Sequence, residues 1–425
     1  MSSIAPARPE PPAVAPSPDP RGRATAGGAP ADSRRHHLAF WGVAYAFLVV
    51  MAFSAVPTPL YVLYQARDGW SPLTITLIFA VYAVGVVASL FLVGHLSDRD
   101  GRRRWMVPAI ALNLISVGIF LAWDALPGLL LARFIGGFGV GALTATATAW
   151  ITELHGHARP AADARRAQTV ATAANLGGIG LGPLLAGALA QWAGEPLRTP
   201  YWVSFGLLVV ALLVAVAAPE TRPRLHPRPA YRPQRVAVPA SGRQAYLAVA
   251  TGAFVAFALL GLFNSLAPAF LAGQLHHTSR LLAGFAAFLV FAAAATAQTR
   301  TGTRTPRQIL MPGLAALAVG PAVLVASVWL TSLPLFLLGA VVSGIGAGLT
   351  FKGAIGTAAQ LAPAEQRAEA LAGIFLAGYT GLAIPVIGLG LLTQELAADW
   401  SLTLFAALII GGVALTASLV RRTSD

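Results

Sequence analysis

The sequence contains no cysteine. That excludes disulfides, thiol nucleophiles and cysteine-ligated metal sites. Charge is also scarce: only 11% of the 425 residues are Asp, Glu, Lys or Arg, whereas 56% are hydrophobic. A soluble chain of this size could not clothe its surface with so little polarity, so soluble multi-domain enzymes, disordered proteins and fibrous proteins drop out. There are 16 acidic residues against 29 basic ones, and Lys352 is the lone lysine. No G-x-x-x-x-G-K-[ST] phosphate loop is present, which removes an ATPase of that type. The pairs His36-His37 and His276-His277 stand without partner ligands, so no metal and no cofactor are expected.

What the chain does have is long apolar runs. Twelve occur, near 38–62, 72–95, 104–123, 126–151, 168–192, 199–218, 244–271, 281–299, 307–329, 332–356, 367–392 and 400–420. Each is long enough for a bilayer helix, which needs about 20 apolar residues. A membrane β-barrel would alternate apolar and polar residues instead. The expected fold class is all-α: a polytopic membrane protein of 12 helices.

The net charge of +13 would suggest nucleic acid in a soluble protein, but these arginines lie between the apolar runs. With both termini placed in the cytoplasm, the inside segments hold 24 basic residues and the outside loops hold only Arg67, Arg198 and Arg280. That is a strong positive-inside asymmetry. It predicts a multi-pass protein of the cytoplasmic membrane with cytoplasmic N- and C-termini and no nucleic-acid partner. Residues 1–37 form a Pro-, Ala- and Arg-rich stretch with too little apolar surface to fold, expected to be a disordered tail. Residues 219–243, with six prolines, read as a cytoplasmic linker that is extended or weakly helical. It divides the chain into six-helix halves, 38–218 and 244–420, with a short tail at 421–425.

The halves look like repeats. Pro57-Thr-Pro59-Leu-Tyr61 aligns with Leu266-Ala-Pro268-Ala-Phe270 at an offset of 209, and Gly137-x-Gly139-x-Gly141 aligns with Gly344-x-Gly346-x-Gly348 at 207. Two related six-helix halves are a transporter architecture, with the substrate held between them near the midplane.

Between runs two and three stands Gly94-His95-Leu96-Ser-Asp98-Arg99-Asp-Gly101-Arg102-Arg103-Arg104. The glycines allow a tight turn, and Asp98 with the arginines can form a charge relay at the membrane face. This loop resembles the signature loop of the major facilitator superfamily, G-x-L-a-D-R-x-G-R-R/K. The resemblance implies a conformational latch made by Gly94, Asp98, Arg99, Gly101, Arg102 and Arg103. In it the aspartate contacts the second half or a neighbouring helix end in the outward-facing state. The corresponding loop of the second half, Gln298 to Gln308, has no acid and reads as a degenerate copy.

Run four carries Arg133-Phe-Ile-Gly136-Gly137-Phe-Gly139, similar to the family's fourth-helix R-x-x-x-G-x-G. A membrane-embedded Arg costs roughly 2.5–3.5 kcal/mol on insertion scales, so it usually faces a cavity or a partner. The resemblance gives Arg133 a part in proton transfer or substrate contact; an Arg that snorkels to the outer surface is the structural alternative. Run five carries Gly178-Ile-Gly180-Leu-Gly182-Pro183-Leu-Leu-Ala186-Gly187, similar to the antiporter motif G-x-x-x-G-P-x-x-G-G with Ala186 in place of one glycine. In the family this marks the 12-helix drug:proton antiporter branch, with Gly178, Gly182, Pro183 and Gly187 forming the bend. An ordinary close-packing small-residue face is the alternative.

No acidic residue lies mid-run. The nearest coupling candidates are Glu153 at the inner end of run four, Asp98, and His95, which titrates near neutrality. The missing central acid argues against strongly cationic substrates and keeps facilitated diffusion open. Lys352, in the inner part of run ten, either attracts an anionic group in the cavity or reaches for the membrane phosphates. Asn113, Asn175 and Asn264 are amides within runs, and Asn264 is a cavity candidate. Aromatic pairs at helical spacing, Phe79/Tyr82, Phe254/Phe257, Phe285/Phe288/Phe291 and Phe375/Tyr379, fall in runs that flank the family's cavity. The substrate-cavity candidates are therefore Phe257, Asn264, Phe288, Lys352 and Tyr379, in a pocket suited to amphiphilic compounds.

The expected function is secondary active export of a small organic molecule by alternating access, coupled to protons, in a monomer surrounded by lipid. The expected protein is not an enzyme. Uptake or facilitated diffusion of a neutral metabolite remains as an alternative, as does a ligand-binding membrane receptor or scaffold.

Overall fold

The computed structural model describes residues 30–94, 96–160, 162–222, 231–239 and 242–422. Every regular element among them is helical. Twelve helices are long and apolar enough to cross a membrane. In the first half these are α1 (Pro30–Ala55) with its continuation α2 (Tyr61–Asp68), α3 (Pro72–Leu92), α5 (Arg102–Ala122), α6 (Leu126–Ala158), α7 (Arg165–Trp192) and α8 (Thr199–Ala217). The second half holds α9 (Arg243–Ser265) with the short α10 (Ala267–Gly273), α11 (Arg280–Thr299), α12 (Pro306–Trp329), α13 (Leu333–Leu361), α14 (Arg367–Glu395) and α15 (Ala398–Arg422). A five-residue helix, α4 (Leu96–Asp100), lies in the signature loop and was not foreseen.

Proline and small polar residues set the starts of these helices. Pro72, Pro127, Pro200, Pro306 and Pro334 sit in first turns, where a missing N–H costs nothing. Ser71, Ser279 and Thr305 cap α3, α11 and α12 by accepting from Thr74 N, Leu282 N and Gln308 N. Between the helices, buried apolar side chains gather into two cores. One is drawn from residues 39–218; the other is drawn from 246–420 and includes Phe79 and Ala83 of α3.

Helix connections alternate between two faces. One carries both helical termini, the signature loop and the linker; we call it the terminus face, and the opposite one the far face. Trp123, Trp192, Trp202, Trp329 and Trp400 all sit exposed at the far-face ends of their helices, as interfacial anchors do.

Two boundaries differ from expectation. The first helix begins at Pro30, so residues 30–37 are not a disordered tail. Contacts with α6 account for this: Ser33 Oγ donates to the Ala158 carbonyl at 2.9 Å, and the His36 ring stacks on His157. The remainder of the tail, residues 1–29, lies outside the described residues. The seventh run is interrupted at Leu266, and the first is interrupted over Val56–Leu60. The breaks meet: Thr58 Oγ1 donates to the Asn264 carbonyl at 3.0 Å, joining the halves at the point where the two repeats align.

Candidate functional site

At mid-depth between the halves lies a cavity of about 110 Å³. Phe79, Tyr82, Phe257, Phe291, Phe351, Phe375 and Tyr379 supply its aromatic wall; Ser54, Thr144, Asn175, Asn264 and Gln298 supply polar atoms. Arg133 is the one charged residue among those lining it. A second space of about 540 Å³ shares Thr144, Asn175, Phe351, Phe375 and Tyr379 with the first and extends past Thr148 and Thr152 to Glu153. The cavity therefore opens toward the terminus face.

At the far face the halves are closed. Arg280 N donates to Gln191 Oε1 at 2.9 Å and Arg280 Nη1 to the Ala190 carbonyl at 2.8 Å. Gln394 Nε2 reaches Ser71 Oγ at 3.3 Å. The glycines of α7 set the approach of its neighbours. A Cβ on Gly178 or Gly182 would lie 2.5 Å from the Leu48 carbonyl oxygen or 1.9 Å from that of Ala52, both on α1. One on Gly187 would lie 2.4 Å from the Arg280 oxygen, and one on Gly284 of α11 2.1 Å from the Pro183 oxygen. No side chain fits there, so α7 is wedged between α1 of its own half and α11 of the other.

Arg133 does not snorkel. It is 4% exposed, its Nη1 donates to the Ser54 carbonyl at 2.7 Å, and its guanidinium lies 4.3 Å from the Tyr82 ring centre and 5.8 Å from that of Phe79. These contacts stabilise a desolvated cation by about 2 kcal/mol for a favourable stack, while no carboxylate among the described residues pairs with it. Glu153 is 20 residues further along α6, about 30 Å away at 1.5 Å per residue.

The signature loop is held by charges. Arg102, 3% exposed, pairs with Asp98 at 2.6 Å and Glu153 at 2.8 Å, and donates to Ser97 Oγ at 3.0 Å. Glu153 also accepts from Thr221 Oγ1 at 2.6 Å and from Arg222 Nε at 3.3 Å. Glu220 accepts from the backbone N–H groups of Arg102 at 2.8 Å and Arg103 at 3.0 Å, so a carboxylate caps the positive end of α5. It lies against Gly101, whose φ of +105° favours glycine and whose Cβ would strike the carboxylate at 2.7 Å. Asp98 is 63% exposed at its side chain, and its ion pair is with Arg102, within the first half. Arg99 pairs with its neighbour Asp100. His95 lies outside the described residues.

Two expected cavity residues are elsewhere. Phe288 and Phe291 both lie against Gly180 of α7, but it is Phe291, one turn on, that lines the cavity. Lys352 Nζ donates to the Gln298 carbonyl at 2.6 Å and to Thr301 Oγ1 at 2.7 Å, so its charge caps the end of α11. Phe257, Asn264 and Tyr379 do line the cavity. Sequence reasoning missed Phe351, which has no aromatic partner at helical spacing, as well as Gln298 and the carboxylate of Glu220. Nothing local marks Glu220 as the cap of α5, since the N–H groups it caps there lie 117 and 118 residues away. Among the described residues no group of three or more His, Asp or Glu forms a metal site.

The chain matches the family model described as Major Facilitator Superfamily over residues 43–307. It is 30% identical over 159 residues to the 3-(3-hydroxy-phenyl)propionate transporter of Escherichia coli (strain K12), a stretch covering 36% of this chain and 35% of that one. Solved structures with the same fold include the human organic anion transporter MFSD10 (TETRAN), at TM-score 0.63 and 19% identity over 90% of this chain and 99% of that one. The nucleoside transporter NupG matches at 0.69 and 12%, with 90% and 99% covered. A bacterial homolog of the human lysosomal transporter Spinster, solved inward-facing and occupied, matches at 0.68 and 16%, with 90% and 96% covered.

Proposed function

The chain belongs to the major facilitator superfamily, and from that premise we propose that it exports small aromatic organic anions by alternating access. It sits in the cytoplasmic membrane as a monomer, with both termini in the cytoplasm. The observation that carries this reading is Arg133, a buried cation without a carboxylate partner among the described residues, set in an aromatic cavity whose other polar groups are neutral. An anionic headgroup would complete the ion pair that the fold leaves open, and a planar ring would stack on Phe257, Phe351 or Tyr379. The names of two relatives are consistent with such cargo, one being a phenylpropionate and the other an organic anion.

With the termini cytoplasmic, the open vestibule is the loading side. The α7–α11 seal parts on the other side as the halves rock about the bound anion. Export of an anion needs no proton carrier. The inside-negative potential contributes about 2.3 kcal/mol per charge per 100 mV, and about 120 mV sustains roughly a hundredfold gradient. That reconciles export with the absence of acids from the cavity lining.

A second reading, proton-coupled antiport, is favoured by the Gly178–Gly187 motif. Its carrier would be Glu153, which already pairs with Arg102 and Arg222.

The test uses everted vesicles and 3-phenylpropionate, against vesicles lacking the protein. Accumulation under a lumen-positive potential imposed with potassium and valinomycin, without a pH gradient, is the expected result. Accumulation that follows only a lumen-acid pH gradient selects antiport. Failure to move any aromatic acid under either gradient overturns the anion reading. Arg133→Gln should lower transport efficiency about a hundredfold, the scale of losing one desolvated charge pair.

A further inference from the structure

Behind Arg133, on the side away from the main cavity, is a separate pocket of about 10 Å³ lined by Phe53, Tyr82, Asn113, Ser116, Phe120 and Gly136, among others. That is about the volume one water requires. Two polar atoms at its wall are unsatisfied. Arg133 Nε and Asn113 Oδ1 are both fully buried and have no hydrogen-bond partner among the described residues. The orientation of the Asn113 amide is fixed, because Nδ2 donates to the Ala109 carbonyl at 2.8 Å. Ser116 Oγ donates to the Ala132 carbonyl at 2.7 Å, which leaves its own lone pairs available.

The glycines of the Arg133 motif make room for this arrangement. A Cβ on Gly136 would sit 2.9 Å from Ser116 Oγ, and one on Gly139 would sit 2.5 Å from Asn113 Nδ2. The close approach of α6 to α5 therefore brings Asn113 and Ser116 up to the back of the guanidinium.

We propose that this pocket binds one structural water and that Asn113 acts through it as a positioning residue for Arg133. The water accepts from Arg133 Nε–H and donates to Asn113 Oδ1 and Ser116 Oγ. Three bonds are the usual complement of a buried water. The donor Nε is thus held at the back while Nη1 is fixed on Ser54, so the rest of the guanidinium fork is aimed forward at the cargo. Without the acceptor behind it, Nε–H would remain a buried charged donor, and the side chain would rotate to satisfy it at the expense of the anion.

This inference rests on the anion reading, and the experiment separates the two. Transport of 3-phenylpropionate and of its neutral amide is measured in vesicles for wild type, Arg133→Gln, Asn113→Leu, Asn113→Asp and Ser116→Ala. Asn113→Leu should raise KM for the acid about tenfold while leaving maximal rate and amide transport within about twofold. Asn113→Asp puts a carboxylate behind the guanidinium and should abolish the preference for acid over amide. Ser116→Ala should raise KM for the acid about twofold. An acid preference unchanged in the Asn113 variants but lost in Arg133→Gln overturns the positioning role; a preference retained in Arg133→Gln overturns the anion reading first. An experimental structure fine enough to resolve waters decides the site independently of variant folding. Density within hydrogen-bond distance of Arg133 Nε and Asn113 Oδ1 is expected, and its absence from an ordered pocket overturns the proposal.

Discussion

The two ends of the molecule hold together by different means. At the far face, glycines press against carbonyl oxygens on neighbouring helices, with a few hydrogen bonds around Arg280. At the terminus face the structure is electrostatic: Asp98, Arg102, Glu153, Arg222 and Glu220 form one connected network across the loop and the start of the linker. Close packing depends on shape, is indifferent to salt and fails abruptly when a side chain is added. Ion pairs at a wet surface exchange partners, weaken with salt and are individually small. In a protein that alternates between two openings, the first kind of contact gives a tight seal and the second gives a latch that can re-form in another arrangement.

The comparison breaks most visibly at Gly284. Gly284→Leu drives a side chain into the Pro183 carbonyl and should prise α11 from α7. The expected outcome is a loss of gradient-driven accumulation by tenfold or more, with a cysteine introduced at Gln191 becoming reactive toward an impermeant maleimide from the far side. A maleimide-inert Gln191→Cys in that background would show that the seal lies elsewhere.

Glu153→Gln comes next. It leaves Arg102, 4% exposed at the side chain, with only Asp98 as a charged partner. Losing a buried pair typically costs about 3–5 kcal/mol; Glu153 remains 22% exposed, so about 1–3 kcal/mol of unfolding free energy is expected. Denaturant titration in detergent reads this, and transport under the potential should survive. Abolition of pH-driven exchange with stability unchanged would instead make Glu153 the proton carrier. Asp98→Asn should change stability by less than about 1 kcal/mol, since the acid is largely exposed, yet slow turnover several-fold if the latch forms when the terminus face closes. Unchanged turnover removes the latch. The smallest effect belongs to Lys352→Met, which removes a helix cap at a cost of about 0.5–1 kcal/mol and should leave the KM for 3-phenylpropionate within twofold. A large KM change would return Lys352 to the cargo.

The fold was legible because length and apolarity of the runs suffice to specify membrane helices, and the arginines between them order the faces. The site was legible only in part. Arg133 stood out because a charge inside an apolar run is costly wherever it ends up, and the glycines of α7 stood out by spacing. Which face of a helix a ring occupies is harder to read, because the bilayer and the cavity are both apolar. Phe288 and Phe291 differ by one turn of α11 and both lie against Gly180, yet of the two it is Phe291 that lines the cavity. Lys352 was ambiguous for a related reason: its partners are the Gln298 main-chain carbonyl and the Thr301 hydroxyl, about fifty positions away, and neither leaves a mark near Lys352 in the sequence. The Glu220 cap depends on residues more than a hundred positions away, and spacing carries no information at that range.

Lys352 has one more consequence. It is the chain's sole lysine, and its ammonium bridges the end of α11 to α13 at the terminus face. Reductive methylation with ¹³C-formaldehyde would therefore place a single side-chain label on the unmutated protein, apart from the N-terminal amine. Its resonance would report the electrostatic surroundings of that junction as the vestibule opens and closes, giving a native-sequence probe of the cycle by nuclear magnetic resonance.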